Sequence, residues 1–186
     1  MISLASGSPR RAQLLRWVGM SVTVHPQDVD ESRQAGMDPV EHAERLAKTK
    51  AISARSAGVT GTVVSADTVV HRGQTIYEKP LDRPHAQAML RELSGQWHKV
   101  TTGVCVLPER GPGTVFSVTT AVRFRELSDQ EITAYVATGE ADDKAGAYGI
   151  QGVAGVFVAQ VDGSWTSVMG LPVEETLAAI RQSETS

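Results

Sequence analysis

Apolar and polar positions divide the chain into alternating strand-like and helix-like stretches. Ile2 to Ser6 is a short apolar run of the kind a buried strand shows. Ser8 followed by Pro9 marks a helix start, and Leu14, Leu15 and Val18 supply that helix's apolar side before Gly19 ends it. Residues 22–25 read as a second strand. Asp38-Pro39-Val40-Glu41 combines a cap, a first-turn proline and an acid, so a helix is expected to about Ser56. Val63 to His71 reads as a strand, turned at Arg72-Gly73-Gln74 and returning over Thr75 to Tyr77. Asp82 opens a third helix, ended by Ser94-Gly95. His98–Leu107 and Thr114–Phe124 form a predicted hairpin across the Pro- and Gly-containing loop 108–113. Ser128 and Glu131 form a capping box for a fourth helix. Gly139 to Gly152 is irregular. Val153–Val161 reads as a last long strand, with a turn at Asp162-Gly163 and a helix from Pro172 onward. Hairpin-joined strands among four or five helices predict a mixed α/β sheet, in one domain over residues 1–186.

Charge narrows the partners. With 18 Lys+Arg against 21 Asp+Glu the net charge is −3, so no general basic field exists to hold nucleic acid or an anionic membrane. A small anion can still find a local cluster of cations. The single cysteine, Cys105, rules out an internal disulfide and argues against a cysteine zinc site; its apolar strand suggests core packing. The five histidines show no metal-ligand spacing. The N-terminal apolar run is too short for a signal peptide and no run approaches a membrane span, so the expected location is the cytoplasm.

Six places can carry chemistry, and each also has a plain structural reading. Ser6-Gly7-Ser8-Pro9-Arg10-Arg11 leads a strand into a helix N-terminus, which favours anions, with hydroxyls and two guanidinium forks beside it. A capped surface helix with two solvated arginines fits that motif equally well. Asp67, followed by Thr68, lies inside the apolar run Val63–Val70, where a carboxylate is costly unless paired or metal-bound. General base or magnesium ligand are its functional roles, and a strand-end aspartate bonded to backbone is the alternative. Lys50 shares a helix face with Ala43, Leu46, Ala47 and Ala54, so it either snorkels or enters a cleft. Lys79, in Glu78-Lys79-Pro80, can reach a phosphate or sit in an ordinary polar turn. The stretch 139–152, with four glycines, is a closing loop or a plain surface loop, and its Gln151 can pair with a base edge. Glu31, beside Asp30, is a possible metal ligand or a solvated acid.

Order and wording together say more. Leu4-Ala5-Ser6-Gly7-Ser8-Pro9-Arg10-Arg11, Ser65-Ala66-Asp67-Thr68-Val69-Val70, Glu78-Lys79-Pro80-Leu81, Leu93-Ser94-Gly95, His98-Lys99-Val100-Thr101-Thr102-Gly103-Val104 and Asp143-Lys144-Ala145-Gly146-Ala147-Tyr148-Gly149-Ile150-Gln151-Gly152 closely resemble the Maf family of nucleoside triphosphate pyrophosphatases. The resemblance implies an elongated mixed sheet flanked by helices, with two lobes around a deep cleft, as in inosine-triphosphate pyrophosphatases. It implies cleavage between the α- and β-phosphates with a divalent metal, Mg²⁺ or Mn²⁺, and a homodimer. Asp67 would be the general base, with Glu31 and Asp67 beside the metal. Ser6, Arg10, Lys50 and Lys79 would hold phosphates, with Arg11 a less defined companion. Arg10, Thr68 and Gln151 would bear on substrate choice. The Lys144–Gly152 wording resembles the branch acting on dTTP and UTP; a 7-methyl-GTP pyrophosphatase is the alternative within the family. A non-catalytic nucleotide-binding regulator of cell division is the alternative outside enzymes. An aspartyl-phosphate phosphatase is disfavoured by Val69, where that chemistry wants a second aspartate.

Overall fold

A computed structural model describes every residue except Ala35 and Ser186. The strands are β1 (Ile2–Leu4), β2 (Val22–Val24), β3 (Thr62–Arg72), β4 (Thr75–Tyr77), β5 (Trp97–Leu107), β6 (Thr114–Phe124) and β7 (Val158–Asp162). The helices are α1 (Pro9–Trp17), α2 (Pro39–Ser56), α3 (Arg83–Leu93), α4 (Asp129–Ala137), α5 (Trp165–Val168) and α6 (Val173–Thr185). All seven strands form one sheet in the order β2-β1-β3-β5-β6-β7, with β4 paired to β3. β1 runs parallel to β2 and β3, and the remaining pairs are antiparallel. The expected mixed sheet flanked by helices is present.

β3 organises the cleft. Its start pairs with β1 only as far as Leu4↔Val64, and its end pairs with β4 only from Val70↔Tyr77. Between these two partners, one edge of β3 lacks a strand neighbour among the described residues. Asp67 and Thr68 sit in that gap. The other edge stays fully paired to β5, with Asp67 opposite Gly103 and Thr68 opposite Thr102. A continuous ladder supports the strand on one side while the opposite side is open.

α2 lies close against one face of β3 and β5. Ala43, Ala47, Ala51 and Ala54 are fully buried, and these small side chains let the helix approach. Gly103 completes the fit, because a Cβ there would stand 2.4 Å from the Ala43 carbonyl carbon. Ser65 Oγ donates to the Ala47 carbonyl at 2.6 Å and fixes the helix along the strand. Larger side chains fill the principal core, including Leu14, Leu15, Leu90, Leu93, Phe124, Ile132 and Leu171. Phe124 meets both His98 and Tyr148 edge to face, at 4.9 and 4.8 Å between ring centres.

Three local expectations need correction. Ser8 is the N-cap of α1 but its side chain makes no cap bond; Ser6 Oγ accepts from the Ser8 amide instead, at 3.2 Å. Val18 is exposed, because α1 ends at Trp17 and Ala12 takes the inward place. The last long strand is only Val158–Asp162, since Val153–Phe157 winds into a 3₁₀ turn. There Gly155 passes so near the Ile150 carbonyl that a Cβ would lie 2.7 Å from its oxygen. Buried Ala154 and Phe157 show the three-residue spacing of a turn rather than strand alternation. The short helix α5 had no clear sequence signal.

Candidate active site

The gap beside β3 opens into a cavity of about 660 Å³ lined by Ser6, Arg10, Arg11, Glu31, Lys50, Asp67, Thr68, Lys79 and Gln151. Every side chain singled out from the sequence therefore faces one space, of a size that suits a small-molecule ligand. Strand alternation divides the work between the two neighbours in the gap. Asp67 points with Ser65 toward α2, while Thr68 points the other way, toward α1.

On the α2 side, Lys50 Nζ donates to Asp67 Oδ1 at 2.7 Å and meets Glu31 Oε1 at 2.6 Å. The Lys50 side chain is 9% exposed and that of Asp67 13%. The lysine does not snorkel. Its stem lies on the alanine stripe of α2 and its ammonium bridges two carboxylates, so the buried charge is compensated. Burial raises the Glu31 carboxyl, but its bond to Lys50 and the charges of Lys50, Lys79 and Arg11 outweigh that and leave it below the usual range. The loop that carries Glu31 is tied back to α2 by Arg45, which donates to the Ser32 carbonyl at 2.8 Å.

On the α1 side, Arg11 is the inward arginine. It donates to the Gly170 carbonyl at 2.7 Å, to Ser6 Oγ at 2.9 Å and to Thr68 Oγ1 at 3.2 Å. Thr102 gives its own proton to the Ser167 carbonyl, so Thr68 donates to Thr102 across 2.9 Å and is left to accept from Arg11. This chain ties the helix start, β3, β5 and α5 together. Ser6 Oγ accepts from both Ser8 and Arg11. Its hydroxyl proton has no protein acceptor among the described residues and is available to a ligand oxygen. Arg10 lines the cavity without a described hydrogen bond, and one turn of sequence does not reveal that its neighbour Arg11 is the anchored one.

The far wall is the stretch after α4. Gly146 adopts φ +68°, and a Cβ there would lie 2.9 Å from Val70 Cγ1, so only glycine lets the loop lie on β3. Lys144 is an unanticipated cation in the cavity. Its ammonium donates to the Glu140 carbonyl and to Asp143 Oδ1, both at 2.6 Å. Tyr148 lines the same wall, with its hydroxyl 2.8 Å from His98 Nε2 in the core. His42 also lines the cavity, two turns before Lys50 on α2. Its place at i−8 from Lys50 was the available signal.

The sequence pattern of the family described as "Maf-like protein" matches residues 1–183. The chain belongs to the Maf family. Among its curated relatives, one from Hahella chejuensis is 46% identical over 182 residues, covering 96% of this chain and 90% of the relative. Another, from Vibrio cholerae, is 46% identical over 174 residues, covering 93% and 92%. Both are named dTTP/UTP pyrophosphatase. A solved structure, that of the Staphylococcus aureus Ham1 protein, overlaps at a TM-score of 0.46 and 14% identity, covering 66% of this chain and 71% of that one.

Within this Maf chain, no group of three or more His, Cys, Asp or Glu side chains is placed to hold a metal among the described residues. Glu78 and Asp143 also line the cavity, and Glu31 and Asp67 are the two carboxylates that face one ammonium. Such a pair fits Mg²⁺ or Mn²⁺, hard cations that complete their shells with water and substrate phosphate oxygens. Among the described residues, no helix is long and apolar enough to cross a membrane.

Proposed function

We propose that this chain is a nucleoside triphosphate pyrophosphatase that converts dTTP and UTP to the monophosphate and pyrophosphate, removing unwanted nucleotides from the pool. One observation carries the reading most. A carboxylate, Asp67, stands in a strand gap that opens into a cavity also lined by Arg10, Arg11, Lys50 and Lys79. The names of the relatives in the same family support the substrate class.

In this mechanism the triphosphate lies between the start of α1 and Lys79. Ser6, the arginines and the amides of the helix start bind its oxygens. Asp67 accepts a proton from a water molecule, whose oxygen forms a bond to phosphorus as the bond between the α- and β-phosphates breaks. Lys50 holds the Asp67 carboxylate in place and neutralises charge that builds on the phosphate oxygens. Glu31 and Asp67 would hold the divalent cation, which supplies further charge neutralisation when bound. Gln151, at the opposite wall, offers one donor and one acceptor to the base. A homodimer working in the cytoplasm, built from one domain over residues 1–186, completes the proposal. Its support is the family resemblance, with one sheet carrying both sides of the cleft.

The test is turnover of dTTP, UTP, CTP, GTP and 7-methyl-GTP with Mg²⁺ or Mn²⁺, with the products identified. Pyrophosphate released chiefly from dTTP and UTP is expected. Orthophosphate as the sole product, or turnover confined to 7-methyl-GTP, overturns the proposal.

A further inference from the structure

The loop that carries Gln151 is clamped by a side chain outside the cavity. Glu140 follows α4, and its carboxylate reaches over to the other end of the loop. Glu140 Oε2 accepts the Val153 amide at 2.8 Å and Oε1 accepts the Ala154 amide at 3.4 Å. Tyr135, buried on α4, adds its hydroxyl to Oε1 at 3.3 Å. The carboxylate lies flat on Gly152, where a Cβ would stand 2.3 Å from Oε1. The main-chain carbonyl of Glu140 accepts from the Lys144 ammonium at 2.6 Å. The stem of Lys144 in turn crosses Gly149, close enough that a Cβ there would meet Cε at 2.9 Å.

Gln151 thus stands between two fixed points. Upstream, Tyr148 and Ile150 are buried. Downstream, the Gly152 amide donates to the Gly149 carbonyl and its carbonyl accepts from the Gly155 amide, both at 3.0 Å, so its own bonds stay within the loop, and glycine has the widest backbone freedom of any residue. Glu140 adds a restraint from outside the loop, binding the next two amides from the end of α4. Gln151 itself is exposed at the cavity mouth and makes no described side-chain hydrogen bond. Its reach toward a base is set by the backbone on either side.

We infer that Glu140 is a positioning residue for base recognition: it fixes the Gly152–Ala154 backbone and so sets where the Gln151 amide meets the nucleobase. The inference rests on the proposed dTTP/UTP pyrophosphatase reading. Misplacing a recognition group by about 1 Å can cost as much as 10²-fold, and this cost falls on the nucleotide whose base is recognised. A nucleotide with the wrong base has no such contact to lose.

The experiment compares kcat/KM for dTTP and dATP in the wild type, Glu140→Gln, Gly152→Ala, Gln151→Ala and the Glu140→Gln/Gln151→Ala double variant. Glu140→Gln is nearly isosteric and keeps one acceptor, and Gly152→Ala presses the carboxylate away without removing it. Each single variant is expected to lower the dTTP:dATP ratio about tenfold, mainly through KM, because orientation is lost while the catalytic groups are untouched. In the double variant Glu140→Gln should cause no further loss of the ratio, since its effect passes through Gln151. Amide exchange at Val153 and Ala154 should quicken in Glu140→Gln. The inference is overturned if Glu140→Gln keeps the wild-type ratio, or if it lowers both substrates equally. A wild type that releases no pyrophosphate from dTTP instead removes the underlying functional reading, while the amide exchange still reports on the clamp.

Discussion

Lys50 shows how far a single residue can be read. Its position on the alanine face of α2 said that it must either bend to the edge or enter a cleft, and the pattern of one helix could not choose. The choice is made by Asp67 and Glu31, brought from a strand and a loop to share its ammonium. Asp67 was the more legible of the two, because a carboxylate inside an apolar strand requires a partner. Arg11 was less legible than Arg10, since nothing local announces that Gly170 and Thr68 will receive it. His98 gives a prediction at this scale. Burial brings its imidazole down to about 4 from the ordinary 6.5, so it stays neutral beside Tyr148 at neutral pH. The unfolded chain then binds more protons than the native one between those two values, and stability falls as pH drops from 6.5 toward 4. The loss attributable to His98 should be on the order of 3 kcal/mol. Denaturant unfolding at pH 7 and pH 4.5 should show a smaller difference for His98→Gln than for the wild type. An identical pH dependence in the two proteins contradicts the assignment.

Among elements, the contact of α2 with the sheet matters most for the site. Gly103 allows it, because the helix backbone occupies the place a side chain would take. Gly103→Ala should push α2 outward and cost about 1–3 kcal/mol, as overpacking does. It should also lower turnover, because Lys50 moves with the helix while Asp67 stays on β3. A thermal melt with a parallel pyrophosphate assay checks both, and an unchanged melting point and rate would show that the fit is looser than described. Helix starts were well read from sequence, because caps are local: Asp38 accepts from the Val40 amide, and Ser128 and Glu131 form a reciprocal box. Val153–Phe157 was misread for the opposite reason. Its apolar content resembles a strand, but its winding is fixed by Glu140 and by the Ile150 carbonyl, neither of them within its own span.

At the scale of the whole molecule, the candidate site depends on a strand that loses its neighbour. β1 and β4 both pair with β3 and stop short of each other, so the middle of β3 is supported from one edge and open at the other. Hydrophobic pattern predicted the strands but not this register, which depends on where two short neighbours end. The resemblance to the Maf family supplied the cleft that pattern alone did not. The overall charge of −3 excluded a broad basic surface, yet it left room for Arg10, Arg11, Lys50 and Lys79 to gather around one cavity. The proposed function assigns the phosphates to those cations and the general base to Asp67. The most direct test is pyrophosphate release from dTTP with Mg²⁺, measured for the wild type and Asp67→Asn at equal protein. The wild type should give dTMP and pyrophosphate, while Asp67→Asn should keep its fold and lose about 10²–10⁴-fold in rate. An Asp67→Asn protein that turns over dTTP at the wild-type rate contradicts the account.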